Sequence, residues 1–140
     1  MKHYQVQCKH LYFYFDDSEY GFMNIRPEDV VLVAQENGIL GFIAVWYQDE
    51  PYIDNLHIKS SARSKKLGSV LMKSAAGRLI QQGQTTAYLW AAHDNERAIH
   101  FYERLGGVCT DRALQDYLGT MVPNVKIVWP DLSILNDIRL

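Results

Sequence analysis

The sequence predicts an α/β fold, an α+β mixed sheet that is mostly antiparallel and has flanking helices. Three observations predict it. Residues 30–46 hold two apolar runs on either side of Asn37 and Gly38, residues 52–105 alternate strand and helix patterns, and residues 108–129 end in another strand pair. A strand, a crossover helix and a second strand imply parallel neighbours joined by a right-handed connection, while the pairs on either side are antiparallel.

Taken in order, the first residues are the least regular. Leu11, Tyr12, Phe13, Tyr14 and Phe15 form an aromatic patch compatible with a strand or a helix edge, and Asp16, Asp17 and Ser18 signal a turn or a cap. Val30 to Gln35 and Ile39 to Trp46 flank Asn37 and Gly38, residues suited to the positive φ of a type I′ hairpin. Gln48, Asp49, Glu50 and Pro51 make a polar turn before the strand Tyr52 to Ile58. Simple alternation puts Tyr52, Asp54, Leu56 and Ile58 on one face of that strand and Ile53, Asn55 and His57 on the other.

A helix is expected from about Lys66 to Gln82, because apolar residues recur at helical spacing from Leu67 to Ile80 and Gly83 stops it. Thr85 to Ala92 reads as a strand, and Asn95 to Leu105 as a helix closed by Gly106 and Gly107. Val108 to Arg112 and Val125 to Trp129 read as the final antiparallel pair, with a long connection through Gly119 and Pro123.

A length of 140 residues suits one domain, spanning 1–140, since two would each lack an adequate core. With 48% hydrophobic and 21% charged residues, disorder is not expected. The net charge of -2 argues against general nucleic-acid binding, so the basic run at 63–66 is a local feature. No apolar run approaches the ~20 residues that cross a bilayer, and Met1, Lys2, His3, Tyr4 lack a signal-peptide core. Cys8 and Cys109 are too few for a disulfide framework or a zinc site, so a cytoplasmic enzyme with reduced thiols and no metal is expected.

The chemistry concentrates where the strand Tyr52 to Ile58 meets the helix. Arg63, Ser64, Lys65, Lys66, Leu67, Gly68 and Ser69 form a cationic bend at a helix start. There the first backbone N–H groups lack intrahelical partners and the macrodipole is positive, so an anion is favoured. Three added cations suit a multiply charged ligand such as a pyrophosphate. Gly68 would let that ligand approach the backbone. The alternative is an ordinary solvated turn, and neutralising the lysines discriminates the two through a salt-dependent loss of affinity.

This bend resembles the acetyl-CoA signature of the GNAT superfamily of N-acetyltransferases, in which Gln or Arg, two residues, Gly, one residue, and Gly or Ala follow one another. Arg63 and Gly68 match its ends, and Lys66 stands where the first glycine is usual. A second block, Asn95 to Gly106 with Ala98, Phe101, Tyr102 and Leu105, is similar to the family's Asn, Ala, Phe-Tyr, Leu-Gly helix. The resemblance covers roughly residues 30 to 130. It implies a parallel strand pair that splays to admit the pantetheine arm of the co-substrate acetyl-CoA, and a shortened N-terminal segment. It also implies that Leu56, His57 and Ile58 run along the pantetheine, a backbone N–H there polarising the thioester carbonyl, with Asn95 and Ala98 contacting the cofactor from the second helix.

Under that resemblance the reaction is acetyl transfer to a primary amine of a small molecule or peptide, by direct attack in a ternary complex. Tyr102 is the candidate general acid, because a phenol of pKa ~10 stays protonated at neutral pH and can donate to a departing thiolate. Its alternative is packing on an amphipathic helix, where Phe101 would serve equally. Asp54 is the candidate base, on a strand from which family members often draw one. His57 has a suitable pKa but points to the opposite face unless a bulge turns it. His93 and His100 are taken as surface or packing residues, and Asn95 as a helix cap besides any cofactor contact. Neither Gly-x-Ser-x-Gly nor Gly-x-x-x-x-Gly-Lys-Ser/Thr is present, which disfavours serine hydrolases and P-loop nucleotide enzymes. The rival reading is a non-catalytic acyl-CoA-binding or interaction module. The aromatic leader either walls the acceptor pocket or sits on a partner subunit, giving a homodimer.

Overall fold

The computed structural model describes residues 5–8 and 26–140, so the aromatic patch Leu11 to Phe15 and the turn at Asp16, Asp17 and Ser18 lie outside the described residues. Along the described chain run β1 (Gln5–Cys8), β2 (Val30–Gln35), β3 (Ile39–Tyr47) and β4 (Pro51–Ile58). A 3-10 turn (Ser60–Lys65), α1 (Leu67–Gln81), β5 (Ala87–Ala92) and α2 (Glu96–Arg104) follow, then β6 (Val108–Tyr117), β7 (Thr120–Trp129) and α3 (Leu132–Asn136). The strands form one sheet in the order β1-β2-β3-β4-β5-β7-β6. Every neighbouring pair is antiparallel except β4 and β5. Those two pair only at Tyr52↔Tyr88, and β4 runs on to Ile58 without a ladder partner in β5. The expected α/β fold and splayed parallel pair are therefore present.

The predicted hairpin forms where Asn37 and Gly38 take φ of 49° and 118°. α1 buries Leu67, Leu71, Met72, Ala75, Ala76 and Leu79, a three-and-four spacing that lays one stripe on the sheet. Gly83, at φ 86°, ends it by donating to the Ile80 carbonyl. Beneath α1 lie Val30, Leu32, Ile43, Val45, Ile53, Leu89 and Ile127, with Leu56, Ile58, Ile99, Phe101 and Tyr102 at the margin. On the opposite face Val31, Val33 and Ala44 are buried beside Phe42 and Trp46. Trp129 is fully buried and donates its indole N–H to the Leu105 carbonyl at 3.2 Å, tying the sheet to the end of α2. No helix among the described residues is long and apolar enough to cross a membrane.

Two details differ from simple patterning. Ala44 pairs with Asn55 and Val45 with Ile53, so Asp54 is an extra residue in a β-bulge. A bulge resets the alternation. Asp54 therefore does not share a face with Leu56 and Ile58: its carboxylate accepts the Trp46 indole N–H at 2.9 Å, on the face that carries Phe42 and Trp46. Ile53, not Tyr52, joins Leu56 and Ile58 on the α1 side, and His57 stays opposite them, its ring 5.9 Å from that of Phe42.

The second difference is the length of the last hairpin. β6 and β7 continue to a two-residue turn at Leu118 and Gly119 with φ of 53° and 86°, in place of a long connection. Pro123 obscured this, because proline has no N–H to give a ladder. Here the Pro123 carbonyl accepts from the His93 N–H, one residue beyond the last β5 pair, Ala92↔Asn124. The N–H and C=O of a strand residue point the same way, so the missing donor lies where β5 has already ended.

Candidate functional site

The chain leaves β4 at Lys59, makes the 3-10 turn and enters α1 through Lys66, whose φ 57° and ψ 22° are left-handed. That conformation is one a glycine adopts freely, which explains physically why a glycine can stand at such a position. α1 carries no acidic residue in its first turn, and its Val70 N–H bonds the Lys66 carbonyl at 3.2 Å. The N–H groups ahead of that bond, together with the helix dipole, favour an anion.

Beside this helix start opens a cleft of about 720 Å³, within the range of ligand sites. β4 contributes Leu56, His57 and Ile58, and the bend contributes Arg63, Lys66, Gly68 and Ser69. α2 supplies Asn95, Ala98 and Phe101, joined by Arg97, Arg104 and Leu105. The remaining wall is Ile138, Arg139 and Leu140, held to α1 where Lys73 Nζ donates to the Ile138 carbonyl at 2.5 Å. Among the described residues the lining thus carries Arg63, Lys66, Arg97, Arg104 and Arg139 and no Asp or Glu side chain.

Most of the residues expected from sequence converge there. Leu67 does not line the cleft, because its side chain is fully buried in the core. The side chains of Ser64 and Lys65 lie outside the described residues. At Gly68 an added Cβ would sit 3.2 Å from the Phe101 ring and 3.8 Å from Leu56, so the missing side chain makes room for Phe101 as well as for a ligand. Asn95 caps α2, its Oδ1 accepting the Ala98 N–H at 3.2 Å.

Tyr102 is not among the cleft-lining residues; Phe101 is. The Tyr102 ring stands edge-on to Trp129 at 5.9 Å and to Phe101 at 5.2 Å, and burial raises its phenol above the ordinary value of 10.0. Asp54 also lies outside the lining, on the Trp46 side. Arg97, Phe101 and Arg104 were not anticipated, although their spacing of four and three on one helix puts them on a common face. Arg139 carries no local signal, since its place follows from how the tail docks on α1.

Fold and cleft together define a mixed α/β domain with a cationic cleft at a helix start, a setting that favours anions. The chain belongs to the acetyltransferase (GNAT) family, whose sequence model matches residues 2–107. Members of this class are acyltransferases that use acetyl-CoA. No curated protein matches the chain significantly. Among solved structures it resembles nourseothricin acetyltransferase, with a TM-score of 0.68 and 22% identity over 75% of this chain and 66% of that one. The ribosomal-protein-S18-alanine N-acetyltransferase from Escherichia coli gives 0.67 and 20%, over 76% and 72%. A Bacillus anthracis chain described as a streptothricin acetyltransferase, solved in complex with acetyl coenzyme A, gives 0.66 and 21%, over 74% and 62%. At such identities the likeness is one of fold, and the chain spans about two thirds of the length of these relatives.

Proposed function

We propose that this chain transfers the acetyl group of acetyl-CoA to a primary amine of a small molecule or peptide, by direct attack in a ternary complex. The observation that carries the reading is the cleft at the start of α1, whose described lining carries Arg63, Lys66, Arg97, Arg104 and Arg139 and no Asp or Glu. Its lining fits coenzyme A. Arg63, Lys66 and the first N–H groups of α1 suit the diphosphate, and Leu56, Ile58, Ala98 and Phe101 offer apolar contact to the pantetheine. A bound thioester supplies an activated acetyl group, and the protein's main lever is holding it beside the amine, worth up to ~7–11 kcal/mol in well-oriented systems.

In this reading a backbone N–H of Leu56 to Ile58 polarises the carbonyl oxygen. The amine enters on the face that carries Trp46, where the exposed Asp54 carboxylate takes its proton directly or through water. Tyr102 protonates the departing thiolate, its phenol kept neutral by burial. The setting is the cytoplasm, with Cys109 free and reduced.

The placement of Tyr102 against Trp129, with Phe101 facing the cleft, favours a second reading, a non-catalytic acyl-CoA-binding module. Titration calorimetry with acetyl-CoA, followed by a free-thiol assay against an amine panel, separates them. Saturable binding with amine-dependent thiol release is expected. Binding without release favours the module, and absence of binding removes both readings.

A further inference from the structure

Among the described residues β6 is the outer strand of the sheet, and its residues Val108 to Leu114 and Asp116 are exposed. Ten residues long, it contains neither proline nor lysine, two of the usual protections of a strand edge. Its ladder with β7 slips at Thr110 and is then unbroken from Asp111↔Lys126 to Tyr117↔Thr120. That leaves seven regular residues, Asp111 to Tyr117, with Leu114 at their centre.

We propose that β6 pairs antiparallel with β6 of a second copy of this chain, about a twofold axis through Leu114. Two identical antiparallel strands related by a twofold must place one residue opposite itself, because facing residues have to agree in which way their N–H and C=O groups point. With Leu114 on the axis, Arg112 lies opposite Asp116 of the partner subunit and Asp116 opposite Arg112 of the partner subunit. Ala113 then faces Gln115 of the partner subunit. An axis through Arg112 would put two guanidinium groups face to face, and one through Ala113 would set Arg112 opposite Leu114 of the partner subunit with no opposite charge. Opposite-charge cross-strand pairs are favourable and like pairs unfavourable, so the sequence selects the Leu114 register.

Arg112 and Asp116 form no ion pair among the described residues. The turn uses one Asp116 oxygen, Oδ1, which accepts the Gly119 N–H at 2.8 Å, and a carboxylate has a second. Leu114 is 62% exposed, apolar surface that the pairing would shield. Sheet pairing would also satisfy the open N–H and C=O groups of the edge. This interface stands apart from the acetyl-transfer reading, since no cleft residue takes part.

The test is sedimentation across a concentration series together with cysteine cross-linking in a Cys8→Ser, Cys109→Ser background. The parent chain is expected to dimerise. Leu114→Arg, which puts two cations on the axis of an already exposed position, should raise the dimer dissociation constant by roughly tenfold or more, and Arg112→Glu should act in the same direction. Leu114→Cys should oxidise to a covalent dimer, since a self-opposed pair holds its Cα atoms about 4.5–5.5 Å apart, within the reach of a disulfide, whereas Ala113→Cys should not. A chain that stays monomeric throughout, a dimer indifferent to Leu114→Arg, or cross-linking at position 113 rather than 114 would overturn the proposal.

Discussion

Lys66 sits at φ 57°, where an L-residue costs about 1–2 kcal/mol more than in the right-handed region. Glycine would relieve that strain while adding about 0.5–1 kcal/mol of unfolded-state entropy. Lys66→Gly is therefore expected to raise stability by roughly 0.5–1 kcal/mol, read by thermal unfolding. The same change should weaken acetyl-CoA binding in a titration, because it removes a cleft cation. Opposite signs from one substitution would distinguish a ligand-gripping lysine from a merely strained one. Tyr102 makes a second residue-scale test. Its phenol is raised above 10.0 by burial, so the folded state prefers the protonated form. The stability linked to it is complete below about pH 10 and is lost as pH climbs through the raised folded value. Tyr102→Phe should flatten that alkaline loss in pH-dependent unfolding. If the phenol is the general acid, it should also lower turnover by roughly 10² to 10⁴ with acetyl-CoA affinity intact. Full turnover in the variant would leave Tyr102 as a packing residue.

Among the elements, the close approach of α2 to the end of the sheet is set by Gly107. A Cβ there would lie 2.6 Å from Ile127 Cγ2 and 3.0 Å from both Trp129 Cζ2 and the Tyr102 carbonyl oxygen. None of these is the free end of a flexible chain, so something packed has to shift. Gly107→Ala is expected to cost about 1–3 kcal/mol in denaturant unfolding, and to disturb Tyr102 through its carbonyl. A neutral effect would mean that α2 rides loosely on the sheet. The bulge at Asp54 is the other element-level decision, because one extra residue turns a carboxylate from the α1 side to the Trp46 side. Alternation read along Tyr52 to Ile58 has no way to register it, since a bulge depends on how two strands mesh.

For the molecule as a whole, Trp129 connects parts that sequence spacing treats separately. It is fully buried, pairs with Ala87 of β5, bonds Leu105 beyond α2 and meets Tyr102 edge-on. Trp129→Ala should cost about 3–5 kcal/mol, a large share of the ~5–15 kcal/mol that holds a domain of this kind folded, and equilibrium unfolding would measure it. A much smaller loss would mean that the core closes over the gap. The sequence by itself determined the hairpin at Asn37 and Gly38, the strand–helix–strand–helix series and the cationic bend at Arg63 to Ser69. Turn residues, apolar periodicity and helix-start electrostatics are local, and a local pattern carries them. Tertiary structure decided the rest. Phe101, not Tyr102, fronts the cleft, Asp54 faces Trp46, and Arg139 enters the lining through the contact between Lys73 and Ile138. Each of these depends on which surfaces meet when distant segments pack, and residue spacing along one segment does not encode that.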